Sequence, residues 1–337
     1  MTQTFPLTPK ITLTALALTL PFMAAPAAAD RCGDVSIAEM NWASAGLAAW
    51  VDKIILEEGY GCNVELVTGD TMPTFTSMNE RAQPDMAPEL WVNAVKEPLD
   101  AAVAEGRIII AAPVLSDGGV EGIWIPTWLA EQENIVTLAD ALARPDLFPG
   151  ADDASRGAFF GCPSGWACQH IARNQYLGAG ADEAGFDLID PGSSAGLDGA
   201  IARAFSRDEG WLGYYWAPTA ILGRYDMKRL DLQAEHDRER WDNCMVQADC
   251  LDPQVTEWPT SDVYTAVTAE FADKAGVAMD YVRARQWTND TVNDMLAWMV
   301  QGQASNEDGA YYFLENHPEL WTQWVSPEVA DRIRAAL

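Results

Sequence analysis

Three short tryptophan segments carry the residues best suited to binding chemistry: Glu89-Leu90-Trp91, Cys162-Pro163-Ser164-Gly165-Trp166-Ala167-Cys168 and Tyr214-Tyr215-Trp216-Ala217-Pro218. The face of an indole carries negative quadrupole charge, so several converging indoles attract a quaternary ammonium, whose methyl groups rule out ordinary hydrogen bonding at the charge. Each segment places its indole where a strand ends or a loop is clamped. Together they predict an aromatic cage for a small trimethylammonium compound. The chain has fourteen tryptophans, and most must be core or surface residues, so position along the chain has to separate cage from filler.

The elements that would position these indoles follow from hydrophobic periodicity. Short apolar runs alternate with longer amphipathic ones from Val35 onward, which is the pattern of βα units around a largely parallel sheet. Strands are expected at Val35–Met40, Asn63–Thr68 and Met86–Val92, with helices at Ala43–Glu58 and Thr74–Arg81. A second series begins after Gly118-Gly119 and the apolar run Ile123–Trp128. Its strands are expected at Ala158–Cys162, Phe186–Ile189 and Trp211–Trp216, and its helices at Gln169–Leu177 and Ala195–Phe205. Val263–Phe271 reads as a further strand, and helices dominate from Ala278 to the end. Two such series in 337 residues predict two α/β lobes. Ligands of open α/β sheets gather beyond the carboxyl ends of the strands, which places Trp42 and Trp91 toward a cleft.

The first 29 residues have the form of a secretory signal: Lys10 is the lone charge, Ile11–Met23 is apolar, and Ala27-Ala28-Ala29 offers a cleavage site before Asp30. Pro21 and Pro26 interrupt a run already short for a membrane span. Export implies a periplasmic, freely soluble mature chain. Loss of Lys10 moves the formal charge from −29 to −30, which excludes nucleic acid as a natural partner and weakly concentrates small cations. Six cysteines in an exported chain suggest disulfides. Their spacing suits Cys32 with Cys62, Cys162 with Cys168 and Cys244 with Cys250, although spacing alone leaves other pairings open. His170, His236 and His317 have no metal-ligand spacing, and no cofactor motif is present.

The tryptophan segments resemble those of the periplasmic binding proteins that serve ABC importers of glycine betaine, choline and related compounds, and the resemblance covers the whole mature chain. Gly161 to Cys168 is similar to a disulfide-clamped tryptophan loop of that family, and Trp216-Ala217-Pro218 to its Trp-x-Pro segment. Glu89-Leu90-Trp91 resembles another cage segment, with Val92-Asn93 where a proline commonly follows. Gln286-Trp287-Thr288-Asn289-Asp290 resembles a segment that supplies a cage tryptophan in another branch, and Met40-Asn41-Trp42 the first-loop tryptophan of choline binders, with Ser44 where those place an acid. The resemblance implies a monomeric two-lobed fold that closes on its ligand and works with a permease and its ATPase. Lobe one would comprise residues 31–124 and 262–337, and lobe two residues 125–261.

The ligand pole opposite the methyl groups decides among family ligands. Lys and Arg are absent from the tryptophan segments, while Glu39, ending the first strand, and Glu131, after Pro126-Thr127-Trp128, could face the cleft and would repel a carboxylate. That ranks trimethylamine N-oxide first, glycine betaine second, and choline or carnitine after them. An exported hydrolase with paired carboxylates is the rival class, but no nucleophile elbow, metal-binding helix or phosphate loop appears, so no enzyme activity is expected.

Overall fold

The computed structural model describes residues 1–2, 32–150, 153 and 155–337. The expected signal segment and its cleavage site lie outside the described residues. Among the described residues ten strands form two five-stranded sheets. The first contains β1 (Asp34–Met40), β2 (Asn63–Gly69), β3 (Met86–Trp91), β4 (Ile108–Pro113) and β10 (Val263–Thr268), in the order β2-β1-β3-β10-β4. The second contains β5 (Val120–Pro126), β6 (Gly157–Phe160), β7 (Phe186–Ile189), β8 (Gly213–Ala217) and β9 (Met227–Arg229), in the order β7-β6-β8-β5-β9.

Four strands of each sheet share one direction. The reversed strand is β10 in the first sheet and β5 in the second, and each pairs antiparallel with both neighbours. These are the two strands the chain enters on passing from one sheet to the other. The parallel pairs need helical crossovers, which is why helices flank both sheets. β3 is buried along its whole length, as a central strand covered on both faces must be.

The two passages meet each other. Gly119 N donates to the Ser261 carbonyl at 2.8 Å, and Ser261 N donates back to Gly119 at 3.0 Å. Gly118 has φ +71°, a left-handed conformation that glycine adopts without steric penalty. The expected lobe boundary at 124/125 falls inside β5. That strand pairs along its length with β8 and β9, so the change of sheet comes before Val120.

Several expected elements differ at their ends. The helix expected over Ala43–Glu58 is α1 (Ala43–Ile54), continued by a wider turn through Ile55–Gly59. The second helix, α2 (Thr71–Arg81), starts a turn earlier than Thr74. Val263–Phe271 splits at Thr268, whose hydroxyl accepts from Phe271 N at 3.2 Å and caps the helix Ala269–Lys274. The strand expected over Trp211–Trp216 begins at Gly213, because Trp211 has left the ladder to stack on Phe160, with ring centroids 5.5 Å apart. The reading passed over α3 (Lys96–Ala104), β4 and β9.

All six cysteines are paired as their spacing suited, Cys32 with Cys62, Cys162 with Cys168 and Cys244 with Cys250. Just before the last of these loops is a strut between the lobes: Trp241 Nε1 donates to the Asn93 carbonyl at 3.0 Å. Asn174, fully buried on the helix Gln169–Gly178, fixes that loop by donating through Nδ2 to the carbonyls of Met245 at 3.0 Å and Gln247 at 2.9 Å. Asn174→Ala leaves these carbonyls without their donor, and we expect urea unfolding to report a loss of about 1–3 kcal/mol.

Candidate functional site

Four indoles from both sheets meet in one cleft. Trp42 occupies the position before α1, immediately after β1, and Trp91 ends β3. Trp166 lies in the Cys162–Cys168 loop, and Trp216 near the end of β8. Each is at most 8% exposed. Trp166 packs edge-on against Trp42 of the other lobe at 5.1 Å between ring centroids, and against Trp216 at 5.0 Å. With Thr71, Trp91, Glu121, Ala167, Cys168 and Tyr214 they line a narrow cavity of about 20 Å³. The described lining contains no Lys or Arg.

The lobes are joined around this cavity. Trp166 Nε1 donates to Asn41 Oδ1 at 2.7 Å, and Met72 N donates to the Gly165 carbonyl at 3.1 Å. Asp70, just before α2, packs its carboxylate on Gly165, and its Oδ1 is buried without a partner. Burial pushes the Asp70 carboxyl up, against the pull of the Trp166 indole N–H.

Two further carboxylates are almost fully buried here. Glu89 Oε1 accepts from Trp42 Nε1 at 2.7 Å, Ser44 Oγ at 2.9 Å and Trp91 Nε1 at 3.0 Å. One carboxylate thus orients two of the four indoles. Glu121 accepts from Tyr214 Oη at 2.8 Å, from Asn93 Nδ2 at 3.0 Å and from the Ser261 hydroxyl, so it ties the cavity to the paired passages between sheets. Burial raises the pKa of both glutamates, and their hydrogen-bond donors oppose the shift.

Trp42, Trp91, Trp166 and Trp216 are therefore brought together, while the other expected residues lie elsewhere. Trp287 stacks on Phe313 at 4.9 Å within the packing of the C-terminal helices, beside Trp324. Glu39 turns toward α1 and the helix Asn306–Asn316, accepting from Trp50 Nε1 at 3.0 Å and Asn306 Nδ2 at 3.1 Å. Glu131 is exposed on the helix Thr127–Glu133. The reason is the direction of β5: it starts at the cleft with Glu121 and runs seven residues away from it, so an acid beyond its far end is carried off.

Sequence reasoning missed Glu89 and Glu121 as site residues. Each had a signal, an acid inside an otherwise apolar strand: Glu89 in Met86–Trp91 and Glu121 in Val120–Pro126. Ser44, which stands where choline binders were expected to place an acid, donates to Glu89, so β3 supplies the negative charge at that point.

Comparison with known proteins gives one family and a shared fold. Residues 33–316 match the family OpuAC, described as the substrate binding domain of ABC-type glycine betaine transport system. A search of curated proteins finds no match. Among solved structures, the glycine betaine, L-proline ABC transporter binding protein ProX from Borrelia burgdorferi aligns with TM-score 0.70 at 18% identity, over 89% of this chain and 99% of its own. An ABC-transporter choline binding protein in complex with choline aligns with TM-score 0.72 at 16% identity, over 90% and 98%. Lactococcal OpuAC, closed on glycine betaine, aligns with TM-score 0.65 at 16% identity, over 87% and 100%.

The contact between Gly119 and Trp91 is sharply testable. A Cβ at Gly119 would overlap the six-membered ring of Trp91, which must then move. Gly119→Ala should keep the fold and weaken ligand capture by roughly tenfold, about 1.4 kcal/mol by titration calorimetry.

Proposed function

The chain belongs to the family of substrate-binding domains of ABC-type glycine betaine transport systems, and from that membership we propose that it captures trimethylamine N-oxide in the four-tryptophan cavity and delivers it to a permease and its ATPase. It is a transport component and not an enzyme of the exported-hydrolase kind. In this reading it acts in the periplasm as a monomer after export, with lobes built on the two sheets and closing by rotation at the paired segments near Gly119 and Ser261.

The observation that carries the choice of ligand is the charge of the cavity: four indoles, Glu121 in the lining, Glu89 behind two of the indoles, and no cation. Indole faces attract the methylated nitrogen, worth about 2 kcal/mol per contact in a desolvated site. An amine oxide adds one small oxygen that accepts a hydrogen bond, and a carboxyl whose pKa is raised by burial can donate to it as the acid. A carboxylate ligand instead brings a full negative charge that this lining, without Lys or Arg, does not neutralise.

Glycine betaine is the second reading, and one feature supports it. Ala167 and Cys168 line the cavity at the start of the ten-residue helix Gln169–Gly178, where backbone N–H groups can receive a carboxylate. Choline or carnitine ranks below both.

Side-by-side calorimetric titration separates the readings. We expect trimethylamine N-oxide to bind at least tenfold more tightly than glycine betaine, a difference of about 1.4 kcal/mol; the reverse order would assign the site to betaine. Alanine at Trp42, Trp91, Trp166 or Trp216 should each weaken binding by about 1–3 kcal/mol, through lost area and a lost cation–π face. Unchanged affinity in two of these variants would reject the cage.

A further inference from the structure

A fully buried cation bonds to the backbone one residue before Glu89. Arg285 follows the helix Ala278–Ala284 and is 0% exposed; Asp52 on α1 is 1% and Glu89 2% exposed. Arg285 grips Asp52 with two parallel bonds, Nε to Oδ1 at 3.0 Å and Nη2 to Oδ2 at 2.8 Å, and the Tyr281 hydroxyl also donates to Asp52. The same Nη2 donates to the carbonyl of Pro88, the residue before Glu89, at 3.2 Å.

This arrangement is expensive as a brace. A buried ion pair is often matched or surpassed in stability by apolar residues of similar volume, and Arg285 Nη1 is left buried without a partner. When all three are ionised, Asp52, Arg285 and Glu89 together carry two negative charges and one positive. In a water-poor interior their interactions are far less screened than at a surface.

We propose that Arg285 is a positioning residue for ligand capture: oriented by Asp52, its guanidinium holds Glu89 ionised, so that Trp42 and Trp91 donate to a carboxylate and present more negative faces to a methylated cation. This rests on the trimethylammonium reading above. Glu89 is pushed up by burial and drawn down by Trp42, Trp91, Ser44 and then Arg285. The groups around it are Trp42 and Ser44 beside α1, Trp91 on β3 and Arg285; Glu121 from β5 and Asp70 before α2 belong to the same cleft.

The sign is fixed by the chemistry. A carboxyl is ionised above its pKa, so cation affinity is full at higher pH and declines as pH falls through the Glu89 pKa. Removing the guanidinium charge moves this decline to higher pH. Removing the Asp52 charge, which competes for the same guanidinium, moves it to lower pH. A brace without electrostatic purpose would weaken both variants and give no such opposition.

The test titrates tetramethylammonium, which has the methyls and no second pole, into the mature protein between roughly pH 4 and pH 9. The variants are Arg285→Gln, Asp52→Asn and the double variant, each with Glu89 and with Glu89→Gln, and thermal melts establish that each is folded. The expected result is an acid limb displaced by about one pH unit upward in Arg285→Gln and downward in Asp52→Asn, a tenfold affinity change near the limb. Both displacements should vanish with Glu89→Gln, leaving only the limbs of Glu121 and Asp70. If either single variant fails to fold, the double variant, which isolates no charge, decides: its limb should lie above that of the wild type. Limbs that coincide, move together, or keep their displacement without Glu89 overturn the proposal. A wild type that ignores tetramethylammonium at every pH removes the functional reading and this role with it, whereas a wild type that binds with unmoved limbs removes only the role of Arg285.

Discussion

Carboxyl groups held away from water govern the cleft. A carboxylate in apolar surroundings is costly unless donors and a counter-charge compensate it, and the site is organised around two that are compensated in different ways. Glu89 draws on two indole N–H groups and a serine, with Arg285 behind the same strand. Glu121 draws on Tyr214, Asn93 and Ser261, which come from both lobes and from the returning passage. The indoles are therefore not free aromatic surface: the bonds that satisfy the acid also fix the rings. A cation entering between them would complete the electrostatics, and a second anion would oppose them.

The fold gives that cleft its two sides by a simple device. Each sheet contains one strand against the common direction, and each of these strands follows a passage from the other sheet. The passages bond to each other at Gly119 and Ser261. Glu121 lies two residues beyond the first and bonds Ser261 of the second, so a side chain of the cavity is tied directly to the place where the passages meet. Trp91, packed on Gly119, couples the opposite wall to the same point.

Much of this was legible in the sequence, and the failures have physical causes. Period-two and helical patterns located most strands and helices, and the cysteine spacing matched the observed disulfides. Four of the five tryptophans singled out converge because the ends of βα strands lie on one side of each sheet. Trp287 did not, since stacking on Phe313 satisfied its area inside a helical cluster that local spacing cannot reveal. Acids were harder. Glu39 was chosen as the acid ending the first strand and Glu131 as one following Pro126-Thr127-Trp128, whereas side-chain direction and strand pairing decide which acid reaches the cleft, and these are tertiary properties. Glu89 and Glu121 were visible only as polar residues in apolar strands, a pattern equally compatible with an acid pointing to solvent. The sheet to which β5 belongs was hidden for the same reason, because a strand's partners are not read from its own residues.

The order of indoles across the cleft has an optical consequence. Trp166 stands between Trp42, on the first sheet's side, and Trp216, on its own, at nearly equal centroid separations and with steep interplanar angles. Electronic transitions of rings so close couple, and the coupling falls steeply with distance. Parting of the lobes would separate Trp166 from Trp42 while leaving it beside Trp216, which is held by the same lobe and near a disulfide-clamped loop. One half of the coupled signal in the near-ultraviolet circular dichroism would then report lobe separation, and the other half would serve as its internal reference. The protein would carry its own ruler for such a motion, made from residues that line the cavity.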